Sequence, residues 1–145
     1  MSLFRRWLSD RCGGTAVEFS AIILSLFALL FGVTECGWFM WTANALQQTA
    51  IQSARCMGVL ASSCASGSAY SSSNTQTYLQ TVASTYGVTV PTAAISLNNA
   101  ATCGGAGGFS SVTINYTFHT VVPNLVTGLA SVPMSETACF PNQSS

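Results

Sequence analysis

Gly13-Gly14-Thr15-Ala16-Val17-Glu18-Phe19 joins a short basic leader to a long apolar run. The leader, Met1 to Gly13, carries Arg5, Arg6 and Arg11. The run from Phe19 to Val33 has no charge. As a helix it rises about 22 Å, short of a hydrocarbon core of about 30 Å. Continuing through Thr34 to Trp41 lengthens it to about 35 Å and takes in Glu35. Trp38, Phe39 and Trp41 form an aromatic cluster, as expected where a helix leaves a bilayer. Glu18 then sits at the edge of the membrane segment, where an unpaired carboxylate is costly. Arginines ahead of a single apolar segment keep that side cytoplasmic and put residues after about Trp41 outside.

The rest of the chain is almost uncharged. Only 6% of the 145 residues are charged, against roughly 25% in an average globular protein. There is no lysine, and the fourth arginine is Arg55. A nucleic-acid footprint needs clustered Lys and Arg, so that class of partner is excluded. The length allows one small domain beside a membrane helix. The outer part holds Cys56, Cys64, Cys103 and Cys139, which in an oxidising compartment make two disulfides. Three pairings are open. Cys56–Cys64 with Cys103–Cys139 is favoured, because the first closes a short loop and the second ties the end of the chain to a sheet. Cys12 belongs to the leader, and Cys36 is expected as a free, buried thiol. The cysteines include no Cys-x-x-Cys pair and the only histidine is His119, so no metal site and no cofactor is expected.

No proline interrupts the sequence before Pro91, so the helix can continue beyond the membrane. Ala43, Leu46, Ala50, Ala54, Met57 and Ala61 recur at steps of three and four, with Asn44, Gln47, Gln48, Gln52 and Arg55 on other faces. That period predicts one helix from about Thr15 to about Leu60. Ser62 to Asn74 reads as a loop. Thr75 to Tyr86 reads as a second, short helix with Gly87 as its stop. Ala94 to Asn98 is a short strand, and the glycine-rich stretch Asn99 to Gly108 a turn or flexible loop. Ser111 to Phe118 alternates cleanly, with Val112, Ile114, Tyr116 and Phe118 on one side, and reads as a half-buried strand ended by Pro123. Gly128 to Glu136 is a weaker third strand. Consecutive strands with short links favour antiparallel pairing. The fold class is α+β: a long membrane-spanning helix, one short helix and an antiparallel sheet of about three strands.

A glycine followed five residues on by Glu and then an aromatic resembles the processing site of the type IV pilin superfamily. Within it the register is similar to the Flp (tight-adherence) branch. The chain's length and two of its regions resemble the TadE-like pseudopilins. One is Gly14 to Trp38, with Glu35 as a second acid late in the helix. The other is the strand Val112 to Phe118 followed by Pro123 and Leu125. Family members often carry a proline in the apolar run; residues 22 to 33 have none, so no kink is expected. The resemblance implies that a prepilin peptidase cuts between Gly13 and Gly14, placing Glu18 fifth and Phe19 sixth in the mature chain. It implies an assembly role for Glu18 and Phe19, with the carboxylate pairing with the new amine of Gly14. Its partners would be other pilin or pseudopilin subunits and the inner-membrane assembly platform. The organisation implied is a cleaved leader (1–13), a transmembrane segment (14–41) and an extracytoplasmic head (42–145) at the bacterial inner membrane.

Catalysis is not expected. Besides tyrosines, cysteines and the C-terminus, the head's ionisable residues are Arg55, His119 and Glu136. A Ser-His-acid arrangement would have to use His119 and Glu136. Gly104-Gly105-Ala106-Gly107-Gly108 lacks the Lys-Ser/Thr of a phosphate-binding loop. Two other readings stay open. One is a secreted binding protein with a signal peptide cleaved after Ala43-Asn44-Ala45. The other is an unprocessed bitopic envelope protein.

Overall fold

The computed structural model describes residues 13–120 and 131–143. Most of the leader, with Cys12, falls outside them, as do Pro123, Leu125 and the start of the predicted third strand. The described residues form an α+β chain (Fold order: helix, helix, sheet) in two compact units, one ending at Gly37 and one beginning at Trp38.

Helix α1 runs from Gly13 to Gly58 without a break, as the lack of proline allows. In the first unit its side chains are apolar nearly all round and mostly exposed on the chain. The helix is long and apolar enough to cross a membrane, and none of its most apolar 18-residue window is buried inside the chain. A core helix of the same composition would be covered by its own fold.

In the second unit α1 becomes amphipathic. Leu46, Ala50, Ala54 and Met57 are buried, as their spacing predicts. Thr42, Ala45, Thr49 and Ser53 join them on the same face. The threonines fit there because each hydroxyl donates back one turn, Thr42 to the Trp38 carbonyl at 2.9 Å and Thr49 to that of Ala45 at 2.7 Å. Helix α2 spans Ser72–Thr85 and buries Thr75, Leu79 and Ala83. The Ser71 side chain caps its start by accepting from the Asn74 amide. Gly87, at φ +77°, ends it: its amide donates to the Ser84 carbonyl and that of Val88 to Ala83, the paired bonds of a Schellman stop.

The segment read as a plain loop contains a two-residue hairpin, β1 (Ala65–Ser66) and β2 (Ala69–Tyr70), turning at Gly67 with φ +67°. The main sheet is antiparallel in the order β3 (Ile95–Cys103), β4 (Ala106–His119), β5 (Ser131–Pro141). Its inner face supplies Ile95, Val112, Ile114, Phe118 and Met134 to one core with Leu46, Met57, Leu79 and Val90.

The stretch expected as a turn or flexible loop, Asn99 to Gly108, is mostly strand. The turn is confined to Gly104-Gly105, both at positive φ, between the paired residues Cys103 and Ala106. Two such residues make the hairpin turn whose twist matches the strands. The third strand extends to Pro141 because β4 offers partners as far as Phe109.

Two disulfides staple the second unit, Cys56–Cys64 and Cys103–Cys139. The second joins β3 to β5 with β4 between them. Cys103 pairs with Ala106 and Cys139 with Ser111, five β4 residues apart, so a flat sheet would offset them by about 17 Å along the strands as well as by two strand spacings. Yet their Cα atoms are 6.5 Å apart. The β3–β4 ladder is irregular between Asn98 and Cys103, and bulges of that kind bend and twist a strand.

Candidate functional site

The helix is already formed at Gly13. Gly14 and Glu18 are therefore four residues apart on one face, about 6 Å between neighbouring positions. Nothing lies within 4 Å of a side chain built at Gly14. Among the described residues, Val17, Glu18 and Phe19 are all exposed on this turn. Chemically it offers a carboxylate within reach of whatever cation stands one turn before it.

Glu35 lies half-buried farther along α1. Cys36 is a free thiol and, contrary to expectation, is exposed rather than buried within the chain. Among the described residues, no element packs on that side of this stretch of α1.

His119 and Glu136 are not brought together. In the β4–β5 register His119 faces Ser131 and Glu136 faces Ile114, five residues apart or about 17 Å along the strands. They also point to opposite faces, His119 exposed and Glu136 beside the buried Ile114. Among the described residues no three His, Cys, Asp or Glu side chains gather as metal ligands. Burial raises the Tyr70 phenol above its ordinary pKa, partly offset by the Thr75 hydroxyl, but this tyrosine stands alone in the small hairpin.

Two features were not legible in the sequence. The Trp41 indole N–H donates to the Tyr86 carbonyl at 3.1 Å, joining the start of the head to the end of α2. The second is a lashing at the C-terminus. The Asn142 side chain donates to the Asn99 carbonyl at 2.8 Å, and the Ser110 hydroxyl lies 2.6 Å from Asn142 Oδ1. The Gln143 amide then donates to the Gly58 carbonyl at 2.9 Å. Both connect residues more than 30 positions apart, and no local pattern announces them.

No curated protein and no solved structure matches this chain. Residues 13–55 match the family model described as TadE-like protein. The match begins at Gly13, contains Glu18 and Phe19, and runs through the apolar helix into its buried outer half. The family is structural rather than enzymatic, and it points to the Tad pilus system. Over residues 13–55 the chain is similar to that family, which is consistent with a TadE-like pilus protein.

Proposed function

We propose that the protein is a minor pilin or pseudopilin of a tight-adherence type IV pilus, with a structural role in initiating, capping or assembling the filament. The observation that carries this reading is the unbroken helix that starts at Gly13, exposes its apolar first part and bears Glu18 one turn in. A prepilin peptidase cuts between Gly13 and Gly14. The new ammonium of Gly14 then stands one turn from Glu18. Pairing the two, within a chain or between neighbours, lowers the cost of holding the carboxylate in lipid or in a filament core. Only a processed subunit carries that amine at that place, so the pair selects mature subunits and sets their stagger.

The leader stays cytoplasmic and the second unit lies outside the inner membrane, where its disulfides form. Partners are the prepilin peptidase, other pilin or pseudopilin subunits and the membrane assembly platform. The packing of α1 argues against a signal peptide cleaved after Ala45. Ala45 and Leu46 are buried in the head and lie mid-helix, so a cut there would sever a core element. The N-terminal sequence or intact mass of the mature protein from its native membranes tests the proposal. A chain starting at Gly14 is expected. A start at Leu46, or an intact Met1, would overturn it.

A further inference from the structure

The two bridges of the second unit stand in opposite surroundings. Cys56, 5% exposed, and Cys64, 0%, lie in the interior. The Cys64 carbonyl also accepts from the Ser71 amide at 3.0 Å, which fixes the backbone beside that bridge to the cap of α2. Cys139, in contrast, is exposed and Cys103 half-buried. In the β4–β5 ladder Cys139 stands opposite Ser111, one residue out of step with the buried Val112. It therefore lies on the sheet face turned away from the core.

The approach to Cys103–Cys139 is open. The adjoining turn has glycine at 104, 105, 107 and 108, and a side chain built at any of them would meet nothing within 4 Å. Among the described residues of the second unit the one carboxylate side chain is that of Glu136. It stands opposite Ile114 on the core side, away from the path of an incoming thiolate. Disulfide exchange proceeds by attack of a thiolate on one sulfur, so its rate follows access. We propose that Cys103–Cys139 is a thiol–disulfide exchange site of the folded head, opened by a dithiol from solvent that attacks Cys139, while Cys56–Cys64 stays closed.

The attacking thiolate forms a new S–S bond to Cys139 Sγ. The bond from Cys139 to Cys103 breaks, and Cys103 leaves as a thiolate that takes a proton from water. The second thiol of the reagent then loses its proton, closes on the first and expels Cys139 as a thiolate. The protein bridge gains two electrons and the dithiol is oxidised to its own disulfide.

What opens is bounded on both sides. The Asn99 carbonyl accepts from the Asn142 side chain at 2.8 Å, and Asn99 Oδ1 accepts from the Ser110 hydroxyl at 2.8 Å. Those bonds hold Asn99 after the bridge is cut. Phe109 stays paired with Pro141 in the β4–β5 ladder. Residues 100 to 108, at the irregular end of the β3–β4 ladder, lose their covalent tie. The bridge is thus a reducible clasp on one hairpin. Every group involved belongs to the second unit, so the site does not depend on how the protein is processed.

The test uses the detergent-solubilised full chain, with Cys36, and Cys12 where the leader is retained, first capped by N-ethylmaleimide. The protein is treated with dithiothreitol, with and without urea below the unfolding transition, quenched with iodoacetamide and mapped by mass spectrometry. Carbamidomethyl groups are expected on Cys103 and Cys139 many-fold faster than on Cys56 and Cys64. The rate at Cys103–Cys139 should be proportional to dithiothreitol and unchanged by urea, as for attack on the folded head. That at Cys56–Cys64 should rise with urea, as for a bridge that must first be uncovered. With glutathione as the reductant, the trapped mixed disulfide is expected on Cys139. Hydrogen exchange of the selectively reduced chain should rise over residues 100 to 108 and stay low in β4 beyond Phe109. Equal rates at the two bridges, or a urea-dependent rate at Cys103–Cys139, would overturn the exchange site. Glutathione found on Cys103 would overturn attack at Cys139, and faster hydrogen exchange throughout the core would overturn the clasp.

Discussion

Single residues hold this molecule at points where space or charge leaves no alternative. Gly58 ends α1 beneath the last residues of the chain. A Cβ there would meet Phe140 Cδ1 at 2.6 Å and the Pro141 carbonyl oxygen at 2.9 Å. The second contact is backbone, held by the Gln143 amide bonded to Gly58 itself. Gly58→Ala is therefore expected to destabilise the head by about 1–3 kcal/mol, the usual range for overpacking. Thermal unfolding of the detergent-solubilised chain measures it, and an unchanged midpoint would show that the strap yields freely. Glu18 sits at the other end of α1 and contributes nothing to the head's core. Glu18→Ala should leave the folding of the head and leader removal intact while incorporation into filaments falls several-fold. Quantifying the protein in sheared pilus fractions against membranes checks this. Unchanged incorporation would leave Glu18 without an assembly role.

At the scale of elements, the two disulfides do different work. Cys56–Cys64 closes a short turn after α1, with a separation of 8 residues. Cys103–Cys139 spans 36 residues and holds the bent end of β3 against β5. Loop-closure entropy predicts about 2–3 kcal/mol for the first and about 4 kcal/mol for the second. Replacing Cys103 and Cys139 together by serine should thus lower the unfolding midpoint more than replacing Cys56 and Cys64. The reverse order would mean that the bent hairpin stores strain that the bridge must overcome. The β5 strand also shows how an edge is kept from pairing with strangers. It carries Pro133 and Pro141, and Glu136 stands on its inner face, where a partner strand would have to desolvate it.

For the whole molecule, one helix serves two environments. Among the described residues its first part is exposed, and its second part is the spine of a folded head. Membrane residence and later packing among subunits are both compatible with such a helix, because each supplies the apolar cover that the chain itself does not. On the proposed reading, processing separates the two states. Gly13→Ala is expected to block leader removal and leave a membrane-bound precursor larger by the leader's mass, with the head still folded. Immunoblots of membrane and filament fractions would show it. Normal processing of that variant would remove the main support for a pilin.

Helices and the central strand were legible from local pattern, and the reasons are local too. Uninterrupted apolar residues, a step of three and four from Ala43 to Ala61 and a glycine at position 87 determine α1 and the stop of α2. Strict alternation over Val112 to Phe118 determines the core of β4. The spacing of Gly13, Glu18 and Phe19, on which the resemblance rests, is likewise visible before any folding. The glycine-rich stretch misled because composition marks a turn without saying how tight it is. Pairing with β4 drew all but Gly104 and Gly105 into strand.

By itself, then, the sequence determined the elements whose stability comes from their own periodicity: the apolar helix, its amphipathic continuation, the short helix and the alternating strand. The tertiary structure alone decided where β3 and β5 end, how Cys103 reaches Cys139 across an intervening strand, and that Trp41 is fastened to Tyr86. Those features depend on partners far away in the chain, and a residue's neighbours in sequence carry no record of which distant backbone group will stand beside it.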